Sequence, residues 1–189
     1  MSTVILSPHT DDAVFSLADH LCEALDVTVV SVFAGIPDDD IGKRKHTRLR
    51  AEHQTACVLL GWRAVNGDFL DDVYQPRPAD DVLAAWISEQ IDGTDTVYAP
   101  LGIHHPDHIH IARVAAQLAA ADSRTWLWYA ELPYTVDYPE LARSLAAGHT
   151  IESVSACFPQ RKEAAVRCYT SQVNDDVLNR VMRLEMVLR

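Results

Sequence analysis

The sequence predicts an α/β domain with a mostly parallel sheet, and three observations carry that prediction. Short β-branched and aromatic runs recur at 3–6, 27–33, 96–100 and 125–130, and stretches of helical spacing separate them. At 189 residues, the chain has the length of one ordinary domain. Hydrophobic residues make up 48% and charged residues 23%, enough apolar material for a core in a chain of ordinary polarity.

The first run, 3–6, empties into Ser7-Pro8-His9-Thr10-Asp11-Asp12, and 13–25 carries helical spacing. His9, Asp11 and Asp12 therefore fall on a strand-to-helix turn, where open α/β sheets bind ligands. Burying one imidazole and two carboxylates within four residues is costly unless something uses their charge. A divalent metal does so: His9 and Asp12 offer nitrogen and oxygen, and Asp11 stays free to handle a proton. The alternative is a turn whose aspartates cap the following helix.

Strand, helix and strand at this spacing form a βαβ unit, hence parallel pairing. Residues 35–42, with Pro37 and three consecutive aspartates, read as a solvated loop. Residues 43–60 follow as a basic-then-apolar helix ending at Gly61, with His46 and His53 about two turns apart and expected on its exposed side. Ala64-Val65 is a brief strand, and the acidic group Asp68-Phe69-Leu70-Asp71-Asp72 after it lies on the same sheet edge as His9. A helix is predicted over 79–91 and a turn over 92–95.

The strand at 96–100 empties into a second constellation, Gly102-Ile103-His104-His105-Pro106-Asp107-His108. Helical periodicity from Asp107 onward puts His108 in the first turn of a helix. A protonated imidazole is badly placed at a helix N-terminus, whereas a neutral one bound to a metal is not. Further on, 125–130 reads as a buried strand, Glu131 and Tyr134 as part of a loop, 139–147 as a short helix and 150–156 as a last strand. Residues 158–169 and 174–188 read as helices separated by Thr170-Ser171-Gln172, and the tryptophans and tyrosines are expected in the core.

The formal net charge of −11 argues against nucleic acid or an anionic membrane as partner. No apolar run approaches the roughly 20 residues of a membrane span, and the N-terminus lacks a signal peptide's basic segment, so the expected location is the cytoplasm. Cys22, Cys57, Cys157 and Cys168 form no C-x-x-C pair and read as small buried hydrophobes. A small-molecule partner is expected, and a homo-oligomer is left open.

With both constellations in view, the sequence resembles the PIG-L/LmbE-like family of zinc-dependent N-deacetylases. The S-P-H-x-D-D-A signature matches Ser7 to Ala13, and H-x-D-H matches His105 to His108. Two weaker elements agree: Glu52 nine residues before Gly61, and a K-x-x-A helix from Lys162 leading to Ser171-Gln172. The resemblance implies a Rossmann-like three-layer fold in one domain spanning 1–189. It implies one zinc held by His9, Asp12 and His108, with Asp11 as general base. It further implies that His105, steered by Asp107, stabilises the oxyanion or protonates the leaving amine. Substrates would be N-acetylglucosamine units joined to another group, with Asp71 contacting the sugar. The family's arginine three residues before the helix glutamate is Leu49 here, flanked by Arg48 and Arg50, and Arg50 is the expected replacement contact. Thr10 stands in place of a commoner proline, Ala13 in place of a common glutamate, and Tyr169 where a histidine often precedes the S-Q element.

The chemistry of these residues points the same way. Three protein ligands leave zinc a water whose pKa falls to roughly 7, Asp11 is near enough to take its proton, and His105 can meet the developing oxyanion. No G-x-S-x-G and no cysteine with a base offers a rival nucleophile. A phosphoesterase or non-sugar amidase using the same ligands, and a binding module without catalysis, are the other classes that the sequence leaves open.

Overall fold

A computed structural model of the protein describes residues 1–74, 76–153 and 158–189. In chain order the elements are β1 Thr3–Ser7, α1 Asp12–Leu17, β2 Val27–Ser31, α2 Asp40–Leu60, β3 Arg63–Asn66, α3 Asp80–Gln90, β4 Thr96–Pro100, α4 Pro106–Ala120 and β5 Thr125–Tyr129. They continue with α5 Tyr134–Asp137, α6 Pro139–Leu145, β6 Ile151–Ser153, α7 Pro159–Val166, α8 Asp175–Val181 and β7 Met186–Leu188. The strands form one seven-stranded sheet in the order β3-β2-β1-β4-β5-β7-β6. The first five run parallel, and β7 pairs antiparallel with both β5 and β6.

Alternation along the strands divides the core between two helical layers. Ile5, Val29, Leu127 and Tyr129 pack with α1, α2, α7 and α8, while Val4, Leu6, Val30, Val97 and Ala99 pack with α3 and α4. The chain therefore makes the three-layer α/β arrangement expected. Its sheet reverses direction between β1 and β4: the first crossover leaves β1 toward β2, and the later ones proceed outward from β4. The register pairs Thr3 with Thr96 and Ile5 with Tyr98, so the carboxyl ends of β1 and β4 open side by side. Such a switch point is where a doubly wound sheet presents its crevice.

Several elements differ from the sequence prediction, among them α5, a single helical turn that begins at Tyr134 where a loop is expected. Helical spacing continues to Leu25, but α1 stops at Leu17 because the Glu185 carboxylate takes the backbone N–H groups of Asp19 and His20 at 3.0 and 2.6 Å. The C-terminal helix ends at Val181, and Met186–Leu188 adds an antiparallel strand whose Val187 and Leu188 are fully buried. Three apolar residues carry no periodicity that separates the end of a helix from a short buried strand. The helix α2 begins three residues before the expected start, because Asp39 caps it by accepting the Gly42 N–H at 2.8 Å. It closes at Gly61, whose φ of 72° is a conformation that glycine adopts without strain.

Cys22 and Cys57 are buried and Cys168 is half-buried, all three free, while Cys157 and the 154–156 portion of the expected last strand lie outside the described residues. Among the described residues, no helix is long and apolar enough to cross a membrane.

Candidate metal centre and active site

The turn after β1 is braced within its own sequence. Ser7 Oγ donates to the His9 carbonyl at 2.6 Å and accepts the Ala13 N–H at 3.1 Å, while Asp12 Oδ2 accepts the His9 N–H at 2.8 Å. These bonds fold the His9 and Asp12 side chains toward one another. From the adjacent β4–α4 turn, His108 enters fully buried. His9 Nδ1, Asp12 Oδ2 and His108 Nε2 then stand 3.2–3.3 Å apart in every pairing.

The outward-facing nitrogens of both histidines are committed. His9 Nε2 meets Asp107 Oδ2 at 3.1 Å, and His108 Nδ1 meets Glu131 Oε1 at 3.2 Å. Those partners accept only, so with an ion between them each imidazole would keep its proton on that outer nitrogen and turn a lone pair inward. Ligand atoms about 2.0–2.1 Å from a tetrahedral zinc lie about 3.3 Å from one another, so the spacing fits the ion. Electrostatics agree. Burial opposes charge on His9 and His108, yet the Asp107 and Asp12 carboxylates raise His9 well above its ordinary pKa, and Asp12 and Glu131 push His108 up to about 9. Burial likewise works to raise Asp12, but His108 and His9 hold its carboxyl well below the usual carboxylate range. The centre thus stabilises concentrated positive charge at the three facing atoms, which is what a divalent ion supplies. His105 also has a ligand atom within 4.8 Å of those of His9 and His108, but the set with Asp12 is the more tightly spaced, at 3.2–3.3 Å.

Asp11 lies in the same cleft, and among the described residues its carboxyl makes no hydrogen bond to a side chain. Burial, together with the Asp12 charge, pushes it up to about 6. A carboxylate next to a metal ligand and titrating near neutrality is suited to accept a proton from water.

His105 is the N-cap of α4, its Nδ1 accepting the Asp107 N–H at 3.2 Å. That bond assigns the proton to Nε2, which faces the cleft as a donor, with Asp72 Oδ1 at 3.9 Å. Burial and the His9 and His108 charges lower its pKa, so it donates as neutral imidazole. Asp107 acts differently from the expectation. Its backbone holds His105, whereas its fully buried carboxylate serves His9 and accepts the Asp72 N–H at 3.0 Å.

Asp71 lines the cleft as expected, with its carboxyl held low through the His9 charge against the cost of burial. Arg50 does not line it. Its Nε and Nη2 donate to the carbonyls of Ala34 and Gly67 at 2.6 and 2.9 Å and to Asp68 Oδ1 at 2.9 Å, so it clamps the loops after β2 and β3. Lys45, His46 and Leu49 present that face of α2 to the cleft instead. His46 and His53 are buried at 4% and 0% exposure, contrary to the expected exposed positions, because this face of α2 packs inward. His104 stacks on Tyr138 at 3.9 Å and His110 meets Asp80 at 3.0 Å, so neither joins the centre.

Sequence reading missed two supports. Glu131 is fully buried and accepts three backbone N–H groups, from Leu101, Gly102 and Ile103 at 3.2, 2.8 and 3.0 Å, as well as orienting His108. Gly102 is required at this approach: its φ is 87°, and a Cβ there would stand 2.8 Å from Ala112 Cβ. The only advance signal for Glu131 was an acid directly after a buried strand. The second support is Tyr169, whose hydroxyl donates to the Thr10 carbonyl at 2.9 Å and meets His53 Nδ1 at 3.0 Å.

Tyr134, packed edge-on over His108 at 4.9 Å, completes the wall of a cleft of about 200 Å³ with Phe15, Phe33, Leu132 and Gln172.

Neither protein-family models nor curated protein sequences match the chain. Solved structures do. The zinc-inhibited form of the teicoplanin deacetylase Orf2 superposes with a TM-score of 0.83 at 22% identity, covering 100% of this chain and 97% of that one. The N,N'-diacetylchitobiose deacetylase from Pyrococcus horikoshii, complexed with its inhibitor, gives 0.63 at 17% identity over 94% and 73%. GalB, the 4-carboxy-2-hydroxymuconate hydratase from Pseudomonas putida, gives 0.67 at 18% identity over 97% and 84%. The same fold therefore carries deacetylases and a hydratase, and the choice between those chemistries rests on this chain's own residues. This chain has the fold of the deacetylases whose two signatures it resembles.

Proposed function

We propose that the protein is a zinc-dependent hydrolase that removes an acetyl or related acyl group from an N-acylated amino sugar or its conjugate. The observation that carries this reading is the spacing of His9 Nδ1, Asp12 Oδ2 and His108 Nε2 at 3.2–3.3 Å, with Asp11 beside them. One ion per chain would be held by His9, Asp12 and His108. When bound, it supplies a Lewis acid and a water of pKa near 7. Asp11 would take the proton from the water that adds to the amide carbonyl and return it to the nitrogen as the C–N bond breaks, releasing the amine and the carboxylate. His105 Nε2–H donates to the oxygen that gains charge, while the Asp107 N–H fixes its ring. Asp107 and Glu131 keep both ligand imidazoles in the tautomer that leaves a lone pair facing the ion. Asp71, on the cleft wall, contacts the sugar hydroxyls. The shared fold with two sugar-conjugate deacetylases supports the substrate class.

The test is to load the chelator-stripped protein with one equivalent of zinc and follow N-acetylglucosamine conjugates by mass spectrometry. Loss of one acetyl group, abolished by chelation and restored by metal, is the expected result. Water addition to an unsaturated acid or cleavage of a phosphoester, with no deacylation, would overturn the reading.

A further inference from the structure

Lys43, Arg44, Lys45 and Arg48 are four of the chain's 16 lysines and arginines, gathered on the first turns of α2 in a protein of net charge −11. The last three border a depression of about 410 Å³ that Ser171 and Gln172 also line. Lys45 and Gln172 also line the metal cleft, so the depression continues that cleft outward from the catalytic residues.

The cations differ in how far they are already used. Arg48 Nε donates to Glu52 Oε1 at 2.9 Å and its Nη2 to Thr170 Oγ1 at 2.8 Å. Glu52 also takes Ser171 Oγ at 2.6 Å, so that charge is spent joining α2 to the 170–171 turn. Arg44 and Lys45 have no hydrogen bond or ion pair among the described residues. At the inner end, the Lys45 charge helps to hold Asp71 ionised. Beside it, His46 is 4% exposed and its Nε2 has no hydrogen-bond partner among the described residues. A buried polar atom without a partner is costly, and one in a cleft wall can be satisfied by a bound group.

We propose that Arg44 and Lys45, with the Gln172 amide, form a subsite for an anionic oxygen group carried by the substrate on the side away from its scissile amide. This rests on the deacylation reading and narrows its substrate class to amino-sugar conjugates with a phosphate or a carboxylate. The acidic surroundings of the centre would repel such a molecule. A local basic rim reverses the field at the mouth and orients the substrate with its amide inward.

The experiment compares three N-acetylglucosaminides on the zinc-loaded full chain: the methyl glycoside, the 1-phosphate and a carboxymethyl glycoside. The charged compounds should have kcat/KM about five- to tenfold above the methyl glycoside, mostly through KM, as expected for two exposed charge contacts. That advantage should shrink as salt is raised and vanish in an Arg44→Gln/Lys45→Gln double variant. Phosphate favoured over carboxylate, or the reverse, identifies the anion. Equal kcat/KM for charged and neutral glycosides, or an advantage that survives in the double variant, overturns the subsite. If no glycoside is cleaved, the deacylation reading fails by itself. The subsite is then decided by calorimetry of glucosamine 1-phosphate against methyl glucosaminide: tighter phosphate binding that the double variant erases supports it, and equal binding overturns it.

Discussion

The turn after β1 and the turn after β4 each deliver proposed metal ligands, but the first is braced from within and the second by Glu131, in the loop after β5 and 23 residues beyond His108. In the first, Ser7 and Asp12 satisfy their own turn's backbone, so His9 and Asp12 arrive already facing each other. In the second, His108 takes its direction from Glu131, and Asp107 reaches across to serve His9. A contiguous motif thus supplies its own scaffold, whereas a motif on a helix N-terminus borrows one. Substitutions in the two turns should fail in different ways.

The largest difference is expected inside the first turn. Asp11→Asn should keep zinc and fold while lowering kcat by about 10² to 10⁴, the usual cost of losing a general base. Asp12→Ala, one residue on, should lose the metal itself. Zinc content and kcat measured side by side separate the two. A metal-free Asp11→Asn protein, or a loaded one with near-normal kcat, would show that the neighbouring carboxylates do not divide the work as described.

In the second turn the informative change is Glu131→Gln. The amide can still accept from His108, but it loses the charge that raises the imidazole and satisfies three backbone N–H groups. Metal affinity should fall about 10- to 100-fold, the range for a partner behind a ligand. The ligand set itself stays intact, so excess zinc should restore turnover. If titration with zinc leaves Glu131→Gln as active as the parent at every concentration, the distant brace is unimportant.

This contrast explains what the sequence showed. That His9, Asp12 and His108 meet at one sheet edge was legible because both signatures sit directly after apolar runs, and such strand ends open side by side. Parallel order followed from strand-helix-strand spacing. Glu131 was hidden because its partners lie in the turn after the neighbouring strand β4, about 23 to 30 residues away in sequence, and Arg50 was misread because sequence cannot show that its guanidinium donors are used on Ala34 and Gly67. Burial of His46 and His53 was missed for a related reason. Two histidines on a basic helix look solvated until α2 is packed against the sheet, and only packing decides which face turns inward.

Tyr169→Phe sharpens the comparison further, for it removes a remote support from the turn that otherwise braces itself. The hydroxyl donates to the Thr10 carbonyl between His9 and Asp11, and His53 Nδ1 donates to its oxygen. Its loss leaves a buried carbonyl unpaired and the His53 Nδ1–H with only the Cys57 sulfur at 3.6 Å, a cost of about 1–3 kcal/mol in stability. Because Ser7 and Asp12 still hold the turn and Tyr169 bonds neither His9 nor His108, zinc content should stay close to that of the parent. Stoichiometric zinc loss with unchanged urea stability would place Tyr169 in the metal's own scaffold.

The smallest effect concerns the far end of that support and is absent at neutral pH. His53 is fully buried between Ser31 Oγ at 3.2 Å and Tyr169, and burial lowers its pKa to about 4. In the unfolded chain it returns to about 6.5. Above that value both states hold neutral imidazole, and the group adds no pH dependence. Between about 6.5 and 4 the unfolded chain binds a proton that the native protein refuses, so stability falls with falling pH. At one pH unit per 1.36 kcal/mol, the loss is about 1 kcal/mol at pH 6 and about 2 kcal/mol at pH 5. The metal ligands titrate too, so the quantity to measure is the difference between the parent and His53→Gln, both stripped of metal. Urea unfolding of each at pH 5, 6 and 7 should show the parent losing about 2 kcal/mol relative to the variant across that range. A difference that stays constant would mean that His53 titrates alike in the folded and unfolded protein. The directed bond from His53 to Tyr169 would then no longer account for how the first turn is held at its far end.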